Sequence, residues 1–120
     1  MARLTSSFGH AWHGIRYVLR SEPNARIHLL FAITVLVMSL VLRLRHEDMA
    51  AVTFAVVMVF LAEIINTAFE KTLDIIEPNH HPQVKLIKDM AAGAVLVTAG
   101  AAVIIGVVIF TPYLVALWLR

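Results

Sequence analysis

Long apolar blocks, separated by short polar stretches and interrupted by Glu63, dominate the residue pattern of this chain. A helix needs about 20 apolar residues to cross the hydrocarbon core of a bilayer. The blocks therefore predict an all-α integral membrane protein with three membrane-spanning helices, at about residues 27–42, 49–70 and 90–111. The first of these spans is short.

An amphipathic helix is predicted before the first span, at about residues 4–20. Its apolar residues recur at i, i+4, i+7, i+8, i+11 and i+15, which is helical spacing. A basic amphipathic helix with aromatic residues on its apolar face is typical of the membrane interface. It is either a simple anchor, or its basic side also contributes to a phosphate site. The apolar face comprises Leu4, Phe8, Ala11, Trp12, Ile15 and Leu19, and the other sides carry Arg3, His10, His13, Arg16, Tyr17 and Arg20.

Helix starts can be placed from capping residues. Pro23 suits the first position of a helix, with Ser21 or Glu22 near the cap, so Glu22 lies at the edge of the first span. Glu47 or Asp48 is predicted to cap the helix of the second span.

Breaks in the second half of the chain are predicted from proline. The second helix should continue past the membrane surface to about Ile76, where the stretch 77–82 breaks it. A new helix then carries Lys85, Lys88 and Asp89 into the third span. Thr111 and Pro112 are expected to kink or end that span.

Four polar residues form a column on the second span. Glu63, Asn66, Glu70 and Asp74 are spaced by three, four and four residues, which places them within an arc of roughly 80° on a helix. A carboxylate at the centre of a bilayer costs about 2.5–3.5 kcal/mol. A divalent cation, basic side chains or a captured proton must therefore neutralise the column. The column is either a site that handles metal and protons or, for Glu70 and Asp74, the solvated end of a helix leaving the membrane.

Composition supports the membrane assignment. The chain is 60% hydrophobic with a mean hydropathy of +0.83, whereas soluble domains are about 45–50% apolar. It has no cysteine, which excludes disulfides, thiol chemistry and cysteine-based zinc sites. The net charge is only +2, and the basic residues are not clustered with aromatic residues. We therefore expect no nucleic-acid partner. We also expect one domain over residues 1–120.

The distribution of Lys and Arg predicts the orientation in the membrane. With three spans, the N-terminal segment and the 71–89 loop share one side, which holds seven basic residues against three on the other. The positive-inside rule places the side with seven in the cytoplasm. The seven are Arg3, Arg16, Arg20, Arg26, Lys71, Lys85 and Lys88, and the three are Arg43, Arg45 and Arg120.

The column suggests phosphoryl transfer at the cytoplasmic surface. Phosphoryl transfer needs a metal ion, cations and a base near the acceptor hydroxyl. Carboxylates favour Mg²⁺ over zinc, and Glu22 and Glu70 could hold it while Lys88 meets phosphates. Glu63, the deepest, could reach the hydroxyl of a lipid. A lone three-helix bundle would leave the column facing lipid, so we expect a homo-oligomer.

The same residues carry a family resemblance. Glu63-x-x-Asn66-Thr-Ala-x-Glu70-x-x-x-Asp74 is followed by His81-Pro82 and by Lys88-Asp89-x-Ala-Ala-Gly-Ala-Val95, and it is preceded by Gly14-x-Arg16 and Glu22-x-Asn24-x-Arg26-x-His28. Together these motifs resemble the signature of the small prokaryotic lipid kinases, the diacylglycerol kinase and undecaprenol kinase family. The resemblance extends from Arg3 to about Pro112.

The resemblance implies a homotrimer in the bacterial inner membrane that transfers phosphate from MgATP to a lipid alcohol, at sites between subunits. It implies that Glu63 is the catalytic base with Asn66 beside it and that Glu22 and Glu70 bind metal. Because the sites lie between subunits, Glu22 and Glu63 could come from different subunits. The substrate would contact Glu63, Arg16 and Arg26. The positions around ATP are Arg3, His10, Glu22, Glu70, Asp74, Asn79, His80, His81, Lys88 and Asp89. His10 departs from the family, in which a Tyr is expected.

The resemblance also favours a substrate. The stretches 22–28, 81–82 and 91–94 look more like those of Gram-positive-type undecaprenol kinases than those of enterobacterial diacylglycerol kinases. Undecaprenol is therefore the expected lipid, with diacylglycerol as the alternative. Outside this class, a small oligomeric ion or proton transporter and a structural subunit remain open. A transporter needs polar residues through the depth of the bilayer, whereas here they gather at one end.

Overall fold

The computed structural model describes residues 2–119, with side chains from Ser6 to Leu119. Within this part of the chain the fold is entirely helical, as predicted. Three of the helices are long and apolar enough to cross a membrane. The elements are α1 (Ala2–Ser21), α2 (Pro23–Val41), α3 (His46–Ile76) and α4 (Pro82–Trp118).

The turn between α2 and α3 is tight, and it corrects one predicted cap. Arg43 adopts a left-handed conformation with φ of 54°, and α3 begins at His46 with Arg45 as its N-cap residue. The prediction that Glu47 or Asp48 caps α3 is therefore wrong. Both carboxylates lie inside the first turn, where the partial positive charge of a helix N-terminus favours them.

A polar contact joins this turn to the end of α4. The Tyr113 hydroxyl donates a hydrogen bond to Asp48 Oδ2 at 2.6 Å and accepts one from the backbone N–H of Arg45 at 3.1 Å. Beneath it, the buried side chains of Leu44 and Phe110 pack in one apolar cluster with α3. The contact explains why Asp48 does not serve as a cap, because its carboxylate is bound to α4.

Pro112 does not end the helix of the third span. It lies inside α4, which continues to Trp118, whereas the end of the span at about residue 111 stays a prediction. Proline removes one backbone hydrogen bond from a helix. The helix continues on both sides of Pro112. Tyr113, the residue after Pro112, holds this part of α4 to Asp48 through its hydroxyl.

α3 is the central helix, and its buried face is one stripe. The stripe descends through Val52, Ala55 and Val59 to Glu63 and Thr67, at spacings of three and four residues. α2 faces the bundle with small residues seven apart, which allow its backbone to approach closely. These are Ala25, Ala32 and Ser39, and all three are buried. In contrast, none of the most apolar stretch of α4 is buried within one chain.

This packing corrects the expectation that a single subunit would leave the whole polar column facing lipid. Glu63 is only 3% exposed, because the stripe that carries it faces the other helices. Asp74, about three turns further on, is exposed.

Candidate active site

The start of α2, the second half of α3 and the start of α4 bring the predicted polar residues to one end of the bundle. An ion pair between Lys71 Nζ and Glu22 Oε1, at 3.7 Å, links α2 to α3. The two helices are antiparallel neighbours joined by a short turn. This pair therefore defines which residues of α2 and α3 lie at the same depth.

Glu63 is the buried charge of the site. Its carboxylate lies within electrostatic range of His28, Glu22 and Glu70 in the same chain. Glu22 therefore lies within electrostatic range of Glu63 inside one subunit. Thr67 lies one turn on and is also buried, and its hydroxyl donates to the Glu63 carbonyl at 3.0 Å. This bond satisfies the hydroxyl within α3, so Thr67 adds no free donor to the site.

Asn66 and Glu70 form the second layer of the site. Asn66 Nδ2 donates to Glu70 Oε1 at 3.2 Å, which places the amide beside the carboxylate. The other amide atom, Oδ1, is buried and has no hydrogen-bond partner among the described residues. A buried acceptor without a partner costs about 1–3 kcal/mol. Its presence indicates that a bound group or a neighbouring chain completes the site.

These oxygen donors fit Mg²⁺. Glu22 and Glu70 offer carboxylate oxygens, and Asn66 Oδ1 is a free amide oxygen next to Glu70. In the described part of the chain, no cluster of three or more His, Asp or Glu side chains is arranged to hold a metal ion. Mg²⁺ typically takes one or two carboxylates and completes its shell with substrate phosphates and water. The arrangement therefore suits a metal that arrives with a phosphate ligand.

Ion pairs connect the end of α3 to the first turns of α4. Lys88 Nζ bonds Asp74 Oδ1 at 2.5 Å across the connecting turn, and Lys85 Nζ bonds Asp89 Oδ2 at 2.7 Å within α4. Two of the predicted nucleotide residues, Asp74 and Lys88, are thus joined directly, while Asp89, the next residue of α4, pairs with Lys85 instead. Lys88 is the least exposed of these four side chains, at 34%.

The turn between α3 and α4 carries the remaining predicted nucleotide residues. Asn79, His80 and His81 are all exposed there. The backbone N–H of Asn79 donates to Glu77 Oε1 at 3.1 Å. His81 caps α4, since its Nδ1 accepts from the backbone N–H of Gln83 at 3.3 Å. His81 therefore has a local structural role whatever else it binds.

The predicted basic residues are exposed and make no described contact with Glu63. His10, Arg16 and Arg26 are exposed, and Arg16 lines a small cleft on α1 with His13, Tyr17 and Arg20. Among the described residues, no hydrogen bond or ion pair joins Arg16 or Arg26 to Glu63. The side chain of Arg3 lies outside the described part of the chain.

An apolar groove leads away from the site into the membrane-spanning region. It encloses about 360 Å³ between α2, α3 and α4, and it runs from the His28 end towards Phe110. Besides these two residues it is lined by Ile27, Phe31, Ala32, Val35, Val52, Ala55, Val56, Val59, Phe60, Ala99, Ala102, Val103, Ile105 and Gly106.

His28 is the residue of this region to which sequence reasoning assigned no role. A signal was present, because His28 shares a helix face with Ala25 and Ala32. Only the packing of α2 on α3 shows that this face meets Glu63.

Similarity to known proteins agrees with this geometry. Residues 9–110 match the family of prokaryotic diacylglycerol kinases. An undecaprenol kinase of Bacillus subtilis is 39% identical over 112 residues, which cover 93% of this chain and 91% of that protein. A diacylglycerol kinase of Synechocystis is 36% identical over 115 residues, which cover 95% of this chain and 66% of that protein. The chain therefore belongs to the prokaryotic diacylglycerol kinase family.

Proposed function

We propose that this protein transfers the terminal phosphate of ATP to the hydroxyl of undecaprenol and so produces undecaprenyl phosphate. Lipid-kinase activity follows from membership of the family. The choice of lipid is the proposal, and phosphorylation of diacylglycerol to phosphatidic acid is the alternative. The observation that carries it is the buried Glu63 close to an apolar groove.

The groove supports a substrate that stays in the membrane. Its lining is apolar apart from His28, so a hydrocarbon chain can occupy it without leaving polar groups unpaired. A lipid bound there would present its hydroxyl at the Glu63 end. This chain is 39% identical to an undecaprenol kinase over 91% of that protein. This similarity favours a prenyl chain as the occupant of the groove.

Glu63 is the general base in this proposal. Its carboxylate takes the proton of the lipid hydroxyl as that oxygen attacks the γ-phosphorus of ATP. The new P–O bond forms as the bond to the β,γ-bridging oxygen breaks, and ADP leaves. Burial keeps bulk water, the competing acceptor, away from Glu63.

The proposed Mg²⁺ site consists of Glu22 and Glu70 with the Asn66 amide oxygen. These residues would hold Mg²⁺, which would supply charge neutralisation and orientation to the phosphate chain. The group of Asp74, Lys88 and Asp89 lies on the same end and is proposed to contact the nucleotide, together with Asn79, His80 and His81 on the neighbouring turn. His10 and Arg3 on α1, and the substrate contacts Arg16 and Arg26, complete the proposal.

The proposed assembly is a homotrimer in the bacterial inner membrane with its active site in the cytoplasm. The apolar stretch of α4 is not buried within one chain, and Asn66 Oδ1 has no hydrogen-bond partner among the residues that the structure describes. Both features suit a neighbouring subunit. The side proposed to face the cytoplasm holds seven Lys and Arg residues and the other side holds three, which supports this orientation.

A labelling assay tests the function directly. Purified protein in detergent receives ATP labelled at the γ-phosphate, with undecaprenol and diacylglycerol offered side by side, with and without Mg²⁺. We expect label in undecaprenol only when Mg²⁺ is present. Label in diacylglycerol alone would select the alternative. If MgATP failed to bind to the folded oligomer, the kinase proposal would be abandoned for ion transport.

A further inference from the structure

We propose that His28 positions the lipid for phosphorylation: its imidazole holds the acceptor hydroxyl against the Glu63 carboxylate where the apolar groove opens. This inference rests on the proposed function and adds a residue to it. Three independent features of the structure support it: the depth of His28, the helix face on which it lies, and the lack of a hydrogen bond from its ring to any described residue.

His28 and Glu63 lie at similar depth. The Lys71–Glu22 pair defines the starting level for both helices. His28 is six residues along α2 from Glu22, which is about 9 Å at 1.5 Å per residue. Glu63 is eight residues back along α3 from Lys71, which is about 12 Å. The two side chains are thus within about one helical turn of the same level, as their electrostatic interaction also indicates.

His28 also lies on the face of α2 that meets α3. Ala25 and Ala32 are buried on this face, and at 100° per residue His28 falls within about 60° of both. His28 itself is half-buried. It therefore sits at the edge of the helix contact, with part of its ring in the groove.

The imidazole has capacity for a ligand. Every other side chain that lines the groove is apolar, so His28 is its polar end. No hydrogen bond joins the His28 ring to any residue that the structure describes. Leaving a half-buried polar ring unpaired is unfavourable. A lipid hydroxyl beside Glu63 would remove this cost, since the ring N–H can donate to the hydroxyl oxygen while the hydroxyl proton points to Glu63.

Substitution of His28 separates positioning from packing. His28→Leu keeps the approximate volume and removes the donor, whereas His28→Gln retains a side-chain N–H. Thr34→Val, on an exposed face of the same helix, is the matched control, since its hydroxyl only bonds Leu30 of α2. The measured quantities are kcat, the KM for undecaprenol and the KM for MgATP, with oligomer size and Tm in the same detergent.

We expect kcat/KM for the lipid to fall at least about tenfold in His28→Leu, which is ~1.4 kcal/mol. The KM for MgATP and the Tm should stay unchanged, His28→Gln should recover part of the loss, and Thr34→Val should behave as the native protein. An unchanged lipid kcat/KM in His28→Leu would overturn the inference. So would an equal loss in both His28 variants with a lowered Tm, because that pattern indicates packing.

Two further outcomes have a defined meaning. If His28→Leu does not fold, His28→Phe replaces it, and failure of both to assemble shows that His28 is structural and overturns the inference. If the native protein labels neither lipid, the proposed function fails and the inference fails with it. If the native protein labels a lipid and His28→Leu does so equally well, only the role of His28 is lost.

Discussion

At the scale of single residues, Glu63 is the least expected feature of the structure. It is 3% exposed at the end of a stripe that is otherwise apolar apart from Thr67. Taking a carboxylate out of water costs several kcal/mol, and Glu22 and Glu70 add like charge nearby. A residue that contributed only to stability would not be a glutamate at this position. Its chemistry must therefore explain its presence.

The first prediction concerns this base. Glu63→Gln keeps the shape of the side chain and removes its ability to accept a proton. We expect kcat to fall by about 10²–10⁴-fold, with the oligomer and MgATP binding retained. Glu47→Gln, an exposed carboxylate at the opposite end of the bundle, is the control. Retained turnover in Glu63→Gln would remove Glu63 as the base.

The second prediction concerns the metal. Glu70→Gln removes a carboxylate charge but leaves an oxygen that Asn66 Nδ2 can still bond. We expect the Mg²⁺ concentration for half-maximal activity to rise by about tenfold or more, which is ~1.4 kcal/mol. Glu77→Gln, on the nearby turn, is the control because its bond from the Asn79 N–H does not need a charge. An unshifted Mg²⁺ titration for Glu70→Gln would contradict a metal role.

At the scale of elements, the two ends of the helix bundle differ in the kind of contact that joins the helices. At one end, α2, α3 and α4 meet through exposed or half-exposed ion pairs, such as Asp74 with Lys88. Such pairs contribute little to stability, about 0–1 kcal/mol each. At the other end, Tyr113 binds both Asp48 and the Arg45 backbone above a small apolar cluster. The first end is thus suited to binding ligands, and the second holds the helices together.

A third prediction follows for the structural end. Tyr113→Phe leaves the Asp48 carboxylate and the Arg45 N–H without their partner, and we expect a loss of about 1–3 kcal/mol. Thermal unfolding in detergent should show a lower Tm, with kcat at the permissive temperature unchanged. Tyr17→Phe, on the exposed surface of α1, is the control. An unaltered Tm in Tyr113→Phe would show that the contact does not stabilise the fold.

At the scale of the whole molecule, the acidic residues of the site belong to one chain. Glu22 and Glu70 each lie within electrostatic range of Glu63 without a second subunit. What a single chain leaves incomplete is the apolar face of α4 and the partner of Asn66 Oδ1. A neighbouring subunit is therefore expected to cover the site rather than to supply its carboxylates.

The fourth prediction uses mixed subunits to test whether one chain supplies all the carboxylates of a site. Glu22→Gln and Glu63→Gln, each inactive alone, should remain inactive when co-assembled, because every subunit carries a defect in the same cluster. Glu63→Gln mixed with native protein is the control for subunit exchange, and its activity should fall in proportion to the mutant fraction. Activity regained by the two mutants together would show that Glu22 and Glu63 act from different subunits.

Sequence alone determined the features of this protein that depend on residues close to one another along the chain. Helix periodicity and apolar length specify the three spans, and the spacing of Glu63, Asn66, Glu70 and Asp74 places them on one face of α3. The family motifs then indicate the lipid-kinase family to which the chain belongs. These properties are readable because each depends on residues within a few helical turns.

Only the tertiary structure decided what the face of α3 meets. The burial of Glu63, its approach to His28, and the bond between Tyr113 and Asp48 all join residues from different helices. The start of α3 at His46 belongs to the same group, since the Asp48 side chain is bound to α4. Such contacts depend on the register and rotation of one helix against another, which small residues such as Ala25 and Ala32 set through close packing. A pattern along one helix cannot specify that register, because it exists only between helices.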